Sequence, residues 1–311
     1  MKLNIYQKTA LTTVIATLVL ILVGGLVRAA GAGLGCPDWP KCFGMWIPPT
    51  TLADLPAGYD AELFNPVHTW LEYINRLIGV LIGLLITATF VLSFRYRKID
   101  KHVTIASGVA FILVLFQGWL GGQVVRSGLS AGMITIHMVV AMIIVNTLLY
   151  ATFRAMSGRL DLKLSAKSRS YLLTWGGWLL GLTLLQLILG TQVREAVDVL
   201  KNAADPLPRE MWIDSINWIY EVHRTFSWVI VAVAGFMWYK NRSLNLPRNI
   251  NLLFNIIVKL ILLQIVLGVG MEWLAIPGVL QLLHLVSVSL LLCTQFLMIL
   301  MAGFATIENE S

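Results

Sequence analysis

The sequence predicts an all-α membrane protein of eight transmembrane helices formed by two tandem, parallel four-helix bundles. Hydrophobic residues make up 58% of the 311 positions and charged residues 13%, with a mean hydropathy of +0.78, which excludes an ordinary soluble domain. Eight segments are apolar over a length that crosses hydrocarbon as a helix, the open-chain structure that satisfies its own backbone there. The chain also repeats itself, because Gln117 and His137 stand 20 residues apart and so do Gln264 and His284.

The first segment, 9–30, is longer than the apolar stretch of a signal peptide and lacks a convincing small-residue cleavage site, so it is expected to be retained. It ends in Val-Gly-Gly-Leu-Val-Arg at Arg28. The second, 70–94, carries Ile74-Asn75-Arg76, the third, 102–124, carries Phe-Gln-Gly-Trp-Leu-Gly-Gly-Gln-Val at 116–124, and the fourth, 130–153, carries His137. The second half repeats the order. Its first segment, 171–192, runs into Leu-Gly-Thr-Gln-Val-Arg at Arg194, and 216–239 carries Val222-His223-Arg224. Segment 250–271 ends in Leu-Gln-Ile-Val-Leu-Gly-Val-Gly-Met, and 275–303 carries His284. The chain therefore divides into units of 1–155 and 165–305.

With the N-terminus inside, 14 Lys and Arg fall in the inner segments, while Arg28, Lys41, Arg126, Arg194, Lys201 and Arg209 fall outside. The positive-inside rule then puts both termini of this multi-pass chain on the cytoplasmic side. The net charge of +7 is an orientation signal, and no distinct basic domain supports nucleic-acid binding. An even number of helices per unit gives both units the same orientation, related by an axis near the membrane normal. Asn75, His137, His223 and His284 then share the outer third of the bilayer.

A buried imidazole needs a hydrogen-bond partner or a metal, and two facing imidazoles form an axial pair for heme iron. His223 and His284 fit such a bis-histidine site, although helix–helix hydrogen bonds are the plainer use of one membrane histidine. The first unit offers His137 but places Asn75, a poor iron ligand, where the partner would be. An iron held on one face is open to chemistry, whereas one held on both is suited to passing electrons. His68 lies seven residues above Asn75, about 10 Å along a helix, and reads as interfacial. Glu72 shares a helix face with Asn75 and has three uses open to it: relaying a proton, stabilising positive charge or pairing with an arginine. Arg76 and Arg224 follow the ligand level and suit either heme propionates or the interface. Gln117 and Gln264 must find partners within apolar helices, and the glycines at 24, 25, 118, 121, 122, 190 and 268 allow close helix approach or room for a flat macrocycle.

Cys36 and Cys42 lie in the long first outer segment, where an oxidising compartment and the turn through Pro37 and Pro40 favour a disulfide; a transient dithiol is the alternative. Two cysteines are too few for a closed zinc site, and their spacing does not match covalent heme attachment. Residues 43–67 are expected to cover the first-unit site along the headgroup layer, and 195–215 to do the same for the second.

Arg-Ala-Ala-Gly-Ala-Gly-Leu-Gly-Cys-Pro-Asp-Trp-Pro-Lys-Cys at 28–42 and Glu-Tyr-Ile-Asn-Arg-Leu-Ile-Gly at 72–79, with the duplicated histidines, resemble the heme A synthase family over essentially the whole chain. The resemblance implies an enzyme that oxidises a methyl substituent of heme O stepwise to the formyl group of heme A for terminal-oxidase assembly. It implies heme b on His223 and His284, the substrate heme on His137, and Glu72 as the family's essential acid. The family's Glu-x-x-His-Arg is Glu-x-x-Asn-Arg here, which implies altered iron coordination at Asn75. The partners it implies are heme O synthase, terminal-oxidase assembly machinery, a membrane electron acceptor and, in a homo-oligomer, a second copy of the chain. The competing readings are a non-catalytic diheme electron carrier or quinone-reactive cytochrome b, and a transporter suggested by the parallel repeats.

Overall fold

A computed structural model describes residues 2–159, 162–201, 203, 205, 207–216 and 218–308. Its helices are α1 (Ile5–Ala29), α2 (Pro66–Ser93), α3 (Lys101–Arg126), α4 (Ala131–Arg154), α5 (Ala166–Lys201), α6 (Trp212–Ser215), α7 (Trp218–Asn241), α8 (Arg248–Trp273) and α9 (Gly278–Phe304). Local chemistry sets their starts. Asn4 and Gln7 form a capping box at α1, Asn65 caps α2 ahead of Pro66, and Asp100 accepts from the His102 amide at α3. Pro247 and Pro277 immediately precede α8 and α9.

Seven helices among the described residues, α1 to α5, α8 and α9, are long and apolar enough to cross a membrane. The chain is thus an all-α, multi-span membrane protein. Helix α7 is not among the seven: it has 24 residues, but Glu221, His223 and Arg224 at one end and Lys240 at the other dilute its apolar run.

The chain forms two compact units, 1–151 and 152–311. In the first, α1 packs on α2 and α2 on α3; in the second, α5 packs on α7 and α9, and α8 on α9. Buried hydroxyls tie helices together within hydrocarbon, where no water competes for them. Thr13 meets Thr89 at 2.9 Å, Tyr6 meets Ser107 at 2.9 Å, and Gln295 donates to Thr183 at 3.0 Å.

The hairpins α3–α4 and α8–α9 use the same turn. The Leu129 amide donates to the Val124 carbonyl at 2.9 Å and the Ile276 amide to Met271 at 2.8 Å. Two successive residues are left-handed in each, Gly128 (φ 62°) and Leu129 (φ 64°) in one, Ala275 and Ile276 (both φ 55°) in the other. The turn brings each following helix in at a fixed register, with His137 and His284 eight residues beyond Leu129 and Ile276.

Two expected boundaries move. Helix α5 does not stop at 192 but runs 36 residues to Lys201, so much of the expected 195–215 cover is helix. An Arg194–Asp198 ion pair at 3.0 Å, one turn apart, supports the extension, and Val197 is buried in a cluster with Trp212 and Ile276. Helix α2 starts at Pro66, which puts His68 in its first turn.

Candidate functional site

Three of the expected ligand positions, His137, His223 and Asn75, sit opposite a glycine on a neighbouring helix. A Cβ added at Gly121 of α3 would lie 3.5 Å from the His137 ring, and one at Gly190 of α5 would lie 3.1 Å from the His223 ring. A Cβ at Gly24 of α1 would lie 3.8 Å from Asn75 Oδ1. At Gly268 of α8 it would meet nothing within 4 Å. Gly121, Gly190 and Gly24 thus keep open the space beside the His137 and His223 rings and the Asn75 amide.

The ligand helices are also pinned through their backbones. Gln117 donates to the His137 carbonyl at 3.0 Å, Gln264 to the His284 carbonyl at 2.9 Å, and Gln186 to the His223 carbonyl at 2.9 Å. Gln264 also reaches Ser287 Oγ at 2.5 Å. Gln186 was not singled out in the sequence, although it precedes Gly190 by four residues just as Gln117 precedes Gly121 and Gln264 precedes Gly268.

The side chains themselves are left incomplete. His137, His223 and His284 each bury Nδ1 without a hydrogen-bond partner, and Asn75 buries Oδ1 in the same condition. An unsatisfied buried polar atom costs about 1–3 kcal/mol, so each of these side chains is left short of a partner within the protein. No cluster of three or more His, Cys, Asp or Glu suited to a bare metal ion occurs among the described residues. Heme iron takes only one or two ligands from the protein, so the unsatisfied imidazoles and the glycine gaps fit a heme.

Of the three uses open to Glu72, the structure shows the pairing with an arginine, and that arginine is Arg76. Glu72 is buried, and its Oε2 accepts from the Cys36 amide at 2.8 Å while its Oε1 pairs with Arg76. Arg76 Nη1 donates to the Asp38 and Lys41 carbonyls, both at 2.8 Å, and Nη2 to the Cys36 carbonyl at 3.3 Å. With Nε and Nη2 also on Glu72, all five guanidinium N–H groups go to protein acceptors, and none is left for a propionate. The pair therefore holds the 36–42 loop. Arg224 instead sits half-exposed, with Glu221 at 2.8 Å and Glu272 at 3.4 Å.

The loop is closed and docked at several points. Cys36 and Cys42 are disulfide-bonded, with Cα atoms 4.8 Å apart. The Asp38 carboxylate accepts from the Phe43 and Gly44 amides at 2.6 and 2.9 Å, and Thr69 donates to the Gly35 carbonyl at 2.8 Å. Gly35 lies so close to α2 that a Cβ there would stand 2.3 Å from the His68 carbonyl oxygen. Trp39 fills the surface over Gly122 of α3, where a Cβ would fall 2.8 Å from the indole. Phe43 and Phe64 are buried with the disulfide, Tyr59 and Tyr73 pack on them, and Tyr73 donates to the Trp46 carbonyl at 2.6 Å. The segment covers one end of the first unit.

Fold and site together define a multi-span helical membrane protein with incompletely satisfied histidines at matching levels of a repeated helical hairpin. The chain belongs to the cytochrome oxidase assembly protein family, COX15-CtaA, whose model matches residues 7–296. It is similar to the heme A synthase of Wolbachia pipientis wMel, 26% identical over 87% of this chain and 85% of that protein. It is likewise similar to that of Flavobacterium johnsoniae, 26% identical over 88% and 90%. A match to the heme A synthase of Shewanella oneidensis is 32% identical but covers 48% of this chain and 45% of that protein. Family membership implies a heme-related cofactor.

Proposed function

We propose that this protein is a heme A synthase that oxidises a methyl substituent of heme O, through an alcohol and a hydrated aldehyde, to the formyl group of heme A. The observation that supports it most is the set of buried imidazoles with unpaired nitrogens beside glycine gaps, in a chain of this family. Turning CH3 into CHO with the oxygen atom taken from water releases two electron pairs and their protons, and a membrane electron acceptor takes the electrons. His223 and His284 hold heme b, which when bound supplies one-electron transfer. His137 holds the substrate heme from one face, and Asn75 leaves the other face without a strong protein ligand.

Glu72 and Arg76 keep the disulfide loop closed over that site and so exclude water from it. Both Glu72 oxygens accept hydrogen bonds, which hold the carboxylate in place against the loop. Helix α7 crosses the membrane as the eighth span, carrying His223 to the level of His284. Both termini then face the cytoplasm, the hemes lie toward the outer face, and the two units are parallel repeats. Such an enzyme takes heme O from heme O synthase and passes heme A to terminal-oxidase assembly machinery.

The test is conversion: purified protein is given heme O and an electron acceptor, and extracted hemes are separated by chromatography. Heme A should accumulate, and Glu72→Gln should impair this while the low-spin spectrum assigned to His223 and His284 persists. Bound heme with stable spectra and no heme A formed would favour the diheme carrier and refute the enzyme.

A further inference from the structure

The same two-residue device recurs beside every expected histidine ligand. A glutamine amide on one helix donates to the histidine's own carbonyl on a neighbouring helix, and a glycine follows four residues later, facing the imidazole at His137 and His223 and open space at Gly268. The copies are Gln117/Gly121 with His137, Gln186/Gly190 with His223, and Gln264/Gly268 with His284. Gly24 holds the corresponding place opposite Asn75, but the residue four before it is Leu20. The fourth copy thus lacks both its amide donor and its histidine.

Helix–helix glue alone does not account for this pattern. A glutamine kept only to bind two helices in hydrocarbon would be expected to satisfy both ends of its amide. Gln117 and Gln186 bury Oε1 without a partner. The fixed feature is the donor aimed at the ligand's carbonyl, which sets the depth and rotation of the histidine's helix at the level of its ring. Groups that orient a metal ligand in this way govern how well it binds.

We infer that Gln117, Gln186 and Gln264 are positioning residues for heme ligands, and that Leu20 with Asn75 is the same station converted to a non-ligand. The first-unit iron is therefore held by protein on one face only. The inference rests on the heme reading above and adds residues that reading does not need.

The test uses the full-length protein in detergent, titrated with hemin and read by optical and electron paramagnetic resonance spectra. Gln186→Met and Gln264→Met keep side-chain volume and remove the donor. Each should weaken heme retention by about 10–100-fold, the range typical of outer partners of a metal ligand, and convert part of the second-unit low-spin signal to high spin. If the glutamines only pack helices, these variants will melt at lower temperature with unchanged spectra below melting, and the inference is overturned.

The second arm restores the lost station. Leu20→Gln with Asn75→His should add a second bis-histidine signal, and Asn75→His alone should add a weaker or incomplete one. Equal signals from the single and double variants would overturn the positioning role, and no new signal in a folded double variant would overturn the station itself. If the wild-type chain bound no heme in either unit, the heme reading would fail first, an outcome separable from all of these.

Discussion

The Glu72–Arg76 pair shows how a position can be found in a sequence while most of its partners stay out of view. A carboxylate near a ligand-level residue invites a chemical role, yet its partners are the Cys36 amide and an arginine that reaches three loop carbonyls. Backbone acceptors leave no side-chain pattern to read. The second unit has Tyr220 at the matching position, and its Arg224 meets Glu221 and Glu272 in the open. Breaking a buried pair by removing one partner costs about 3–5 kcal/mol, because the other charge is stranded. Arg76→Gln should therefore undock the loop, seen as faster alkylation of Cys36 and Cys42 under mild reductant. Glu72→Gln should do so less, since its amide oxygen still accepts from Cys36. Arg224→Gln, at a half-exposed pair, should shift stability by no more than about 0–1 kcal/mol. Equal alkylation rates in wild type and Arg76→Gln would remove the docking role.

Elements follow from their capping residues and apolar runs, and their exceptions follow from close approach. The expected segments overlap α1 to α5 and α7 to α9, because hydrocarbon-length apolar runs bounded by charge are hard to mistake. The end of α5 was not legible, since residues 193–201 are polar enough to read as loop and become helical through Arg194–Asp198 and the burial of Val197. Glycines of equal appearance differ in what they permit. Gly35→Ala should expel the loop from α2, because its Cβ has no room beside the His68 carbonyl, whereas Gly79→Ala meets nothing within 4 Å and should be tolerated. Limited proteolysis of the 30–65 segment separates the two, and similar cleavage of both would contradict the close approach. The paired turns offer a natural comparison, with Gly128 in one and Ala275 in the other, both left-handed. A non-glycine residue pays about 1–2 kcal/mol for that conformation. Ala275→Gly should raise thermal stability in detergent by up to that amount, less the added freedom of glycine in the unfolded chain.

At the scale of the whole molecule, the two units share a hairpin turn and a glutamine-to-histidine-carbonyl hydrogen bond and differ elsewhere. Leu20, Asn75, Glu72 and the disulfide loop have no counterpart in the second unit, where Gln186, His223 and Tyr220 hold the matching places. The Gln117–His137 and Gln264–His284 pairings were legible because histidine and glutamine are scarce in apolar helices, so a recurring spacing stands out against the background. Each station draws its groups from one unit: Gln117, Gly121 and His137 from the first, and Gln186, Gly190, His223, Gln264 and His284 from the second. Heme loading should therefore be separable by unit. With hemin supplied, His137→Ala should remove the one-ligand spectrum and leave the bis-histidine spectrum at full intensity. His223→Ala or His284→Ala should do the reverse, since each leaves the glycine gap and the clamp on His137 untouched. A doubly ligated iron also loses more from ligand removal than a singly ligated one loses from a change in another unit, so the two spectra should respond independently in amplitude as well as in form. If His137→Ala also abolished the bis-histidine signal in a protein that still folds, the units would not load separately, and the assignment of His223 and His284 to a site of their own would fall.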